Sequence, residues 1–348
     1  MILHFKLRSL AVTETFILEQ FKAVPQDNMA FAYLMPAAIE RQTEATIWCN
    51  GIGSYISRLL SFSSQVKLIH VHFGSNAIFA LPLLMRFRVP MVLSFYGHDA
   101  SSFLVKWPKL TRFVCRYASK ILALTETMKK NLIQAGLDST KIEVFHPGIP
   151  EVRTKKKTRG EDPTLRLLMA SSLREKKNHR LVLLALSKLK GALVKLRIAG
   201  TGPLENELRA LSWELGIKVE FSGAFVTEEE RQAHFLWADV LLHPSTEAAN
   251  KDSEGLPFLI LEAMQAGLPV VTSRHAGMEL ELRDSCFYVS ESDPRELAEL
   301  IKNWDRTKAI QKSTSGQELV KAVFSQTKNL QGLRNIYKSL CPNLVLPD

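Results

Sequence analysis

Short apolar runs rich in β-branched residues alternate with stretches of helical period along almost the whole chain. In the first half, ILHFKL (2–7), MAFAYLM (29–35), KLIHVHF (67–73), PMVLSFY (90–96), KILALT (120–125) and KIEVFHPG (141–148) read as strands. Amphipathic segments separate them, an order that implies a parallel sheet wrapped by helices. EVRTKKKTRGEDP (151–163) interrupts the pattern with charge, Gly160 and Pro163, as an interdomain linker would. The alternation then resumes with RLLMASS (166–172), VKLRIAG (194–200), VEFSGA (219–224), VLLHPS (240–245) and PVVTS (269–273).

The pattern predicts an α/β chain of two doubly wound, Rossmann-like domains, residues 1–155 and 156–325, with no short-period repeat. Leu330, Leu333, Ile336, Tyr337 and Leu340 recur at helical spacing. A terminal helix is therefore expected within 326–348, packing back toward the first domain. Open parallel sheets bind ligands beyond the carboxyl ends of their strands, so function is expected in a cleft between the two domains.

Composition narrows the class. The chain has 348 residues, 46% hydrophobic and 23% charged, as a globular protein does. Cys49, Cys115, Cys286 and Cys341 are scattered without metal-ligand spacing, so free or buried thiols are expected. The start, MILHFKLRSLAVTE, lacks a signal-peptide core, and no run nears the ~18 apolar residues of a membrane span. A cytoplasmic location is expected, with peripheral attachment to the inner face of the plasma membrane as an option. The formal net charge of +10 calls for an anionic partner: a nucleotide, a nucleic acid or a membrane surface.

The densest candidate chemistry lies in DSEGLPFLILEAMQAGLPVV (252–271). Pro257 suits a first helical position, and Gly267 and Pro269 suit the end, so a helix is expected between them. Glu254 falls just before that helix, where free N–H groups and the positive dipole end favour an anion. Glu262 falls about two turns in, among Leu259, Ile260, Leu261, Ala263 and Met264. Along the axis the two carboxylates would stand roughly 10–12 Å apart, about the distance from the ribose to the sugar of a nucleotide sugar. A buried carboxylate needs donors, and a ribose diol offers two adjacent hydroxyls. Pairing of Glu262 with a neighbouring cation or a loop amide would meet the same need, and spacing alone does not choose.

The segment DSEGLPFLILEAMQAGLPVVTSRHAG resembles the two-glutamate signature of the family 4 glycosyltransferases. That large retaining family of GT-B fold contains many bacterial exopolysaccharide and lipopolysaccharide transferases. IHVHFGSN, SFYGHDAS, VFHPGI, IAGTGPLENEL, VEFSGAF and ADVLLHPS occur in the order the family uses, and TETFI (13–17) is similar to its first-strand loop. The resemblance implies a GT-B chain with an amino-terminal acceptor domain and a carboxy-terminal nucleotide-sugar domain. Glu254 and the backbone of Gly255, Leu256 and Pro257 would then hold the transferred sugar and diphosphate, and Glu262 the ribose. Thr15 would belong to the first-strand loop beside the donor.

Three places depart from the family pattern. The phosphate clamp, Gly-Arg-Leu with a lysine five residues after the arginine, appears here as SSLREKKN (171–178). Lys177 matches the lysine, but Ser172 replaces the arginine. Arg174, two positions on in an extended loop, is the candidate substitute, although REKK outside this context reads as a solvated turn. In SFYGHDAS, Tyr96 stands where relatives often carry a histidine near the reacting face of the donor sugar, so either the Tyr96 hydroxyl or the His98 imidazole would take that catalytic place, with Asp99 orienting it. The usual GIPE appears as GMEL (277–280), which removes the basis for a contact from Glu279. Gly200 and Gly202, in a turn whose Pro203 is expected to open a helix, offer N–H groups to the nucleotide, though a tight turn needs the same glycines. Gly223 and His243 are weaker strand-end candidates.

The resemblance implies a UDP-, GDP- or ADP-sugar donor, a glycan or polyprenyl-diphosphate-linked acceptor, front-face displacement without a carboxylate nucleophile, no cofactor and no metal. Two other classes stand beside it. A GT-B nucleotide-sugar 2-epimerase would need no acceptor and should lack the full signature. A sugar transferase acting on a soluble metabolite or nucleic acid would use the basic charge, but no nucleic-acid-binding motif is present. Lys106, Lys109, Arg112, Arg116 and Lys120 recur at helical spacing beside an apolar stripe of Trp107, Leu110, Val114 and Tyr117. Either that stripe faces the core of an ordinary surface helix, or it docks on anionic lipid.

Overall fold

The structure, a computed structural model, describes residues 1–10, 14–36, 46–60, 65–151, 162–189, 191–225 and 227–346. Most of the 151–163 segment, and Thr13 of TETFI, lie outside them. The chain forms two compact units, Met1–Pro150 with Phe324–Asp348, and Glu151–Val323.

The first unit is built on seven parallel strands: β1 (Ile2–Arg8), β2 (Met29–Met35), β3 (Thr46–Asn50), β4 (Leu68–His72), β5 (Met91–Phe95), β6 (Lys120–Ala123) and β7 (Ile142–Val144). Their order is β3-β2-β1-β4-β5-β6-β7. β4 and β5 are buried at every position, as strands covered by helices on both faces must be. β3 was not expected from the hydrophobic pattern.

The helix Gln326–Leu340 buries Leu333, Ile336 and Tyr337 in this unit, while Leu330 and Leu340 are half-buried. Tyr337 enters a buried polar network. Its hydroxyl lies 2.7 Å from His70 Nδ1, and His70 Nε2 lies 2.8 Å from Ser94 Oγ. His4 Nδ1 lies 2.9 Å from His72 Nε2, and His72 Nδ1 lies 2.8 Å from the Tyr96 hydroxyl. Burial keeps these imidazoles neutral, pushing His70 down to about 3 and His4 and His72 well below the ordinary histidine value.

The second unit carries six parallel strands: β8 (Leu165–Ala170), β9 (Val194–Ala199), β10 (Val219–Gly223), β11 (Val240–His243), β12 (Val270–Ser273) and β13 (Phe287–Val289). The short β13 was also unexpected. Their order, β10-β9-β8-β11-β12-β13, is that of a Rossmann sheet. Leu167, Met169, Ile198, Val240, Leu242 and Val271 form its central core.

One local expectation is corrected. The basic and apolar positions from Lys106 to Lys120 do not share one helix. Helices Ser102–Lys106 and Pro108–Cys115 meet at Trp107, whose backbone (φ −128°, ψ 50°) lies outside the α region that Pro108 disfavours for it. Lys120 opens β6 and pairs with Glu143 at 2.6 Å. No helix among the described residues is long and apolar enough to cross a membrane.

Candidate functional site

In the second sheet β8 and β11 are neighbours, but β8 leads outward to β9 and β11 to β12. The chain therefore leaves these two carboxyl ends in opposite directions and opens a crevice between them, where such sheets bind ligands. Ser171–Lys177 leaves β8, and Pro244–Pro257 leaves β11. The two loops are joined directly: Thr246 N donates to Lys176 O at 3.0 Å, and Ala249 N to Glu175 Oε1 at 3.1 Å.

Charge converges at this junction. Glu254 Oε1 lies 3.0 Å from Lys177 Nζ and 3.3 Å from Lys176 Nζ, while Lys176 also reaches Asp252 Oδ1 at 3.1 Å. Burial alone would raise the Glu254 pKa, but Lys177, Lys176 and His243 overcome it and bring it to about 2. Lys176 responds in the opposite sense: burial disfavours its charge, Glu254 and Asp252 favour it, and its pKa is raised. Lys177 Nζ also lies 3.4 Å from His243 Nε2. Burial, then Lys177, pushes His243 down to about 3, leaving it neutral and able to accept a hydrogen bond from the Lys177 ammonium group.

The helix that follows runs Phe258–Gln265. Pro257 is its N-cap (φ −66°, ψ 114°) rather than its first helical residue, and Glu262 is the fifth residue, just over one turn in rather than two. Among the described residues, the backbone amides of Glu254, Gly255 and Leu256 make no hydrogen bond, so they stand available to an anion.

Glu262 is buried, and its Oε1 accepts from Arg231 Nη1 at 2.8 Å. The partner open to it from sequence is thus a cation on the helix Glu228–Trp237, and Arg231 also pairs with Glu228. Burial raises the Glu262 pKa against the opposing effect of Arg231.

Other candidates do not pair with the Glu254 carboxylate. Arg174 is exposed, and the second cation on Glu254 is Lys176. Gly200 (φ +146°) and Gly202 serve a close backbone approach: added Cβ atoms would come within 1.9 Å of Ser171 O and 2.6 Å of Leu173 O. Pro203 does not open a helix, which begins at Glu205. Gly223 ends β10, and its carbonyl accepts from Gly200 N at 2.6 Å. Glu279 is exposed.

Tyr96, His98 and Thr15 belong to the first unit. Tyr96 is buried, with its hydroxyl on His72 and its ring 4.8 Å from both Phe16 and Phe73. His98 is exposed at the start of the turn after β5, and Thr15 begins the helix Thr15–Phe21. Asp99 orients neither side chain. Its buried carboxylate accepts from the backbone N–H groups of Gly74 (2.6 Å), Tyr96 (3.0 Å) and Gly97 (3.0 Å), and so fixes the loop itself.

Sequence reasoning missed Lys176, Arg231, Asn178, His275 and Glu291. Lys176 had a signal, since two adjacent lysines follow a strand end. The rest act through partners distant in sequence.

Two family models match the chain, "Glycosyltransferase Family 4" over residues 47–153 and "Glycosyl transferases group 1" over residues 151–315. A putative colanic acid biosynthesis glycosyltransferase, WcaL, of Escherichia coli K12 is 31% identical over 241 residues, covering 66% of this chain and 59% of that protein. The amylovoran biosynthesis glycosyltransferase AmsK of Erwinia amylovora is 28% identical over 289 residues, covering 78% and 71%. The matched region thus spans about three fifths of the length of WcaL. Among solved structures, Anabaena Alr3699/HepE in complex with UDP and glucose superposes with a TM-score of 0.81 at 18% identity, covering 97% of this chain and 99% of that one. At that identity the likeness speaks to fold alone, and the fold is GT-B.

Proposed function

Because this chain belongs to glycosyltransferase family 4, we propose that it moves a hexose from a nucleotide-diphosphate sugar to a hydroxyl of a glycan or lipid-linked acceptor in polysaccharide synthesis. The observation that carries this reading is the pair of ammonium groups of Lys176 and Lys177 held on Glu254 where the second sheet reverses its order. A departing diphosphate gains charge as the glycosidic bond breaks, and preorganised cations in a partly dry site stabilise that change. Glu254 keeps both lysines aimed until the donor arrives. The free amides of Glu254, Gly255 and Leu256 would add neutral donors to the phosphate oxygens.

Glu262 would receive the ribose diol, with Arg231 retaining Glu228 as a partner when the Glu262 carboxylate turns to the ligand. The reaction is read as retaining, with the departing phosphate helping to deprotonate the acceptor, and it needs neither a metal nor a cofactor. Tyr96 and His98 are assigned to the acceptor side. Support for polysaccharide synthesis comes from the similarity to WcaL and AmsK.

The acceptor is best presented at an anionic membrane surface on the cytoplasmic side. Val105, Trp107, Phe113 and Tyr117 are 66%, 49%, 43% and 52% exposed, interleaved with the exposed Lys106, Lys109, Arg112 and Arg116. Such a mixture suits the headgroup region. Val114 faces the core and Leu110 is half-buried, so the stripe read from the sequence divides between the two roles.

The first experiment is calorimetry and thermal shift of the purified protein with UDP-, GDP- and ADP-sugars. One donor class is expected to bind and to be consumed with a suitable acceptor, the anomeric configuration of the product being read by NMR. A folded protein that binds no nucleotide or nucleotide sugar would overturn the reading.

A further inference from the structure

Beside Glu254, outside the residues assigned above, three side chains form a chain. Ser253 Oγ lies 2.7 Å from His275 Nε2, and His275 Nδ1 lies 2.8 Å from Glu291 Oε2. The imidazole thus bridges the Glu291 carboxylate and the Ser253 hydroxyl, which also lies 3.4 Å from the Glu254 carbonyl oxygen. His275 is nearly enclosed, its side chain 9% exposed. It follows β12, in a turn where Ala276 (φ 53°) and Gly277 (φ 75°) both adopt left-handed backbone.

Glu291 reaches the opposite wall as well. Its carbonyl accepts from Asn178 Nδ2 at 2.8 Å, and Asn178 directly follows Lys177 in a left-handed conformation (φ 56°). The segment after β13 is itself fixed, since Ser290 N donates to Glu296 Oε2 at 2.6 Å and Glu296 Oε1 lies 3.3 Å from Arg274 Nη1, next to His275. One short segment thus touches both arms of the site: the Glu254 loop through His275 and Ser253, and the lysine turn through Asn178.

We propose that Ser253, His275 and Glu291 form a relay that holds the Glu254 carboxylate in register with Lys176 and Lys177, making His275 a positioning residue for sugar transfer. This rests on the donor-site reading above. The ion pairs alone do not fix the loop, because two flexible lysine stems can follow a shifted carboxylate. A fixed hydroxyl one residue away, anchored through an imidazole to the frame of the sheet, can. The relay acts on where the transferred sugar sits; the ribose contact belongs to the Glu262 end, and the flexible stems of Lys176 and Lys177 keep their reach to the diphosphate when the carboxylate shifts.

The test is steady-state transfer, with UDP, GDP or ADP binding by calorimetry, on the full chain and on Ser253→Ala, Ser253→Thr, His275→Ala and the Ser253→Ala/His275→Ala double variant. Misplacing a reacting group by a fraction of an ångström to an ångström costs about 10- to 100-fold in turnover. Ser253→Ala and His275→Ala should each lower kcat by roughly that factor, with nucleotide affinity within about threefold of wild type, and Ser253→Thr should recover most of the loss. The double variant should be no worse than the poorer single variant by more than about twofold, because both break one chain. Losses that multiply, or full turnover in Ser253→Ala, would overturn the relay. If His275→Ala fails to fold, the Ser253 pair still decides. A wild-type chain that neither binds nucleotide nor transfers sugar would instead overturn the donor-site reading.

Discussion

Lys177 Nζ stands 3.0 Å from Glu254 Oε1, although the two residues leave different strands of the second sheet. Their contact joins the two candidates for leaving-group chemistry in one structural unit. Lys177→Ala removes one of two ammonium groups, and Lys176 keeps Glu254 paired, so the stability loss should stay below the ~3–5 kcal/mol typical of a broken buried pair. Turnover should fall about 100-fold or more, since the lost charge is most needed in the transition state. Glu254→Gln should lose a similar factor. Both follow from donor-consumption rates measured beside thermal melts, and a fully active, well-folded pair of variants would remove these residues from the chemistry.

Glu262 supports a different measurement. The ion pair with Arg231 shows that the carboxylate has an internal partner. Burial disfavours its charge, so Glu262→Gln should cost little stability. If the ribose diol binds there, nucleotide affinity should fall about 10-fold while kcat at saturating donor changes little. A variant with unchanged nucleotide affinity would leave Glu262 as a structural partner of Arg231 alone.

How far the sequence reaches is clear from particular elements. The buried strands β4, β5, β8, β11 and β12 stand out as dense apolar runs because both faces are covered by helices. β3 and β13 lie at sheet edges, and β13 has only three residues, too few for a period. The Lys106–Lys120 spacing misleads because it ignores Pro108, whose effect on Trp107 ends one helix and starts another. Lys177 and Glu254 are legible through their place in motifs. Arg231, His275 and Glu291 are not, since each gains its meaning from a partner that only folding brings near. Nor can spacing distinguish a carboxylate awaiting a ligand from one already paired, and Glu262 shows that limit.

The glycines of GTGP allow a steric test. At Gly202 an added Cβ would lie 2.6 Å from Leu173 O and 2.7 Å from Leu173 N, and backbone atoms cannot rotate away. Gly202→Ala should therefore cost more than ~2 kcal/mol and lower the melting temperature by roughly 4–8 °C. It should also weaken nucleotide binding by shifting the segment that leads to Lys177. Gly216, with a positive φ of 68° but open space around its Cβ position, is the control, and Gly216→Ala should cost only ~1 kcal/mol. Equal melting temperatures for the two variants would show that the backbone approach at Leu173 is not tight in solution.

Buried neutral histidines set the acid limb of stability. Burial pushes His70 and His243 down to about 3 and His179 down to about 4, against an ordinary value near 6.5. Between those values the unfolded chain binds protons that the folded chain refuses, so stability falls as pH drops below ~6.5. Each such group contributes a slope of up to ~1.4 kcal/mol per pH unit within its window. Glu254, brought to about 2 by its lysines against the effect of burial, adds stability above the ordinary carboxylate range and loses it as pH falls toward 2. Denaturant melts at pH 7.5, 6.0 and 5.0 should show a steepening loss. A flat profile from 7.5 to 5.0 would mean that these imidazoles take up protons in the native state.

The exposed aromatic and basic face sets the last measurement. Four cations at Lys106, Lys109, Arg112 and Arg116 contribute about 1 kcal/mol each near an anionic bilayer, which alone gives millimolar binding. The exposed rings of Trp107, Phe113 and Tyr117 add apolar area, so the protein should float with vesicles rich in anionic phospholipid and stay behind with neutral ones. Raising salt from 0.1 M to 0.5 M should release much of it, because the Debye length falls from ~10 Å to roughly 4 Å. Trp107→Ala with Phe113→Ala should weaken flotation without changing donor hydrolysis in solution, since both residues lie on the surface of the first unit, whereas Glu254 and Glu262 lie in the second. Absence of flotation at low salt would remove the membrane from the acceptor side and leave a soluble glycan as the substrate.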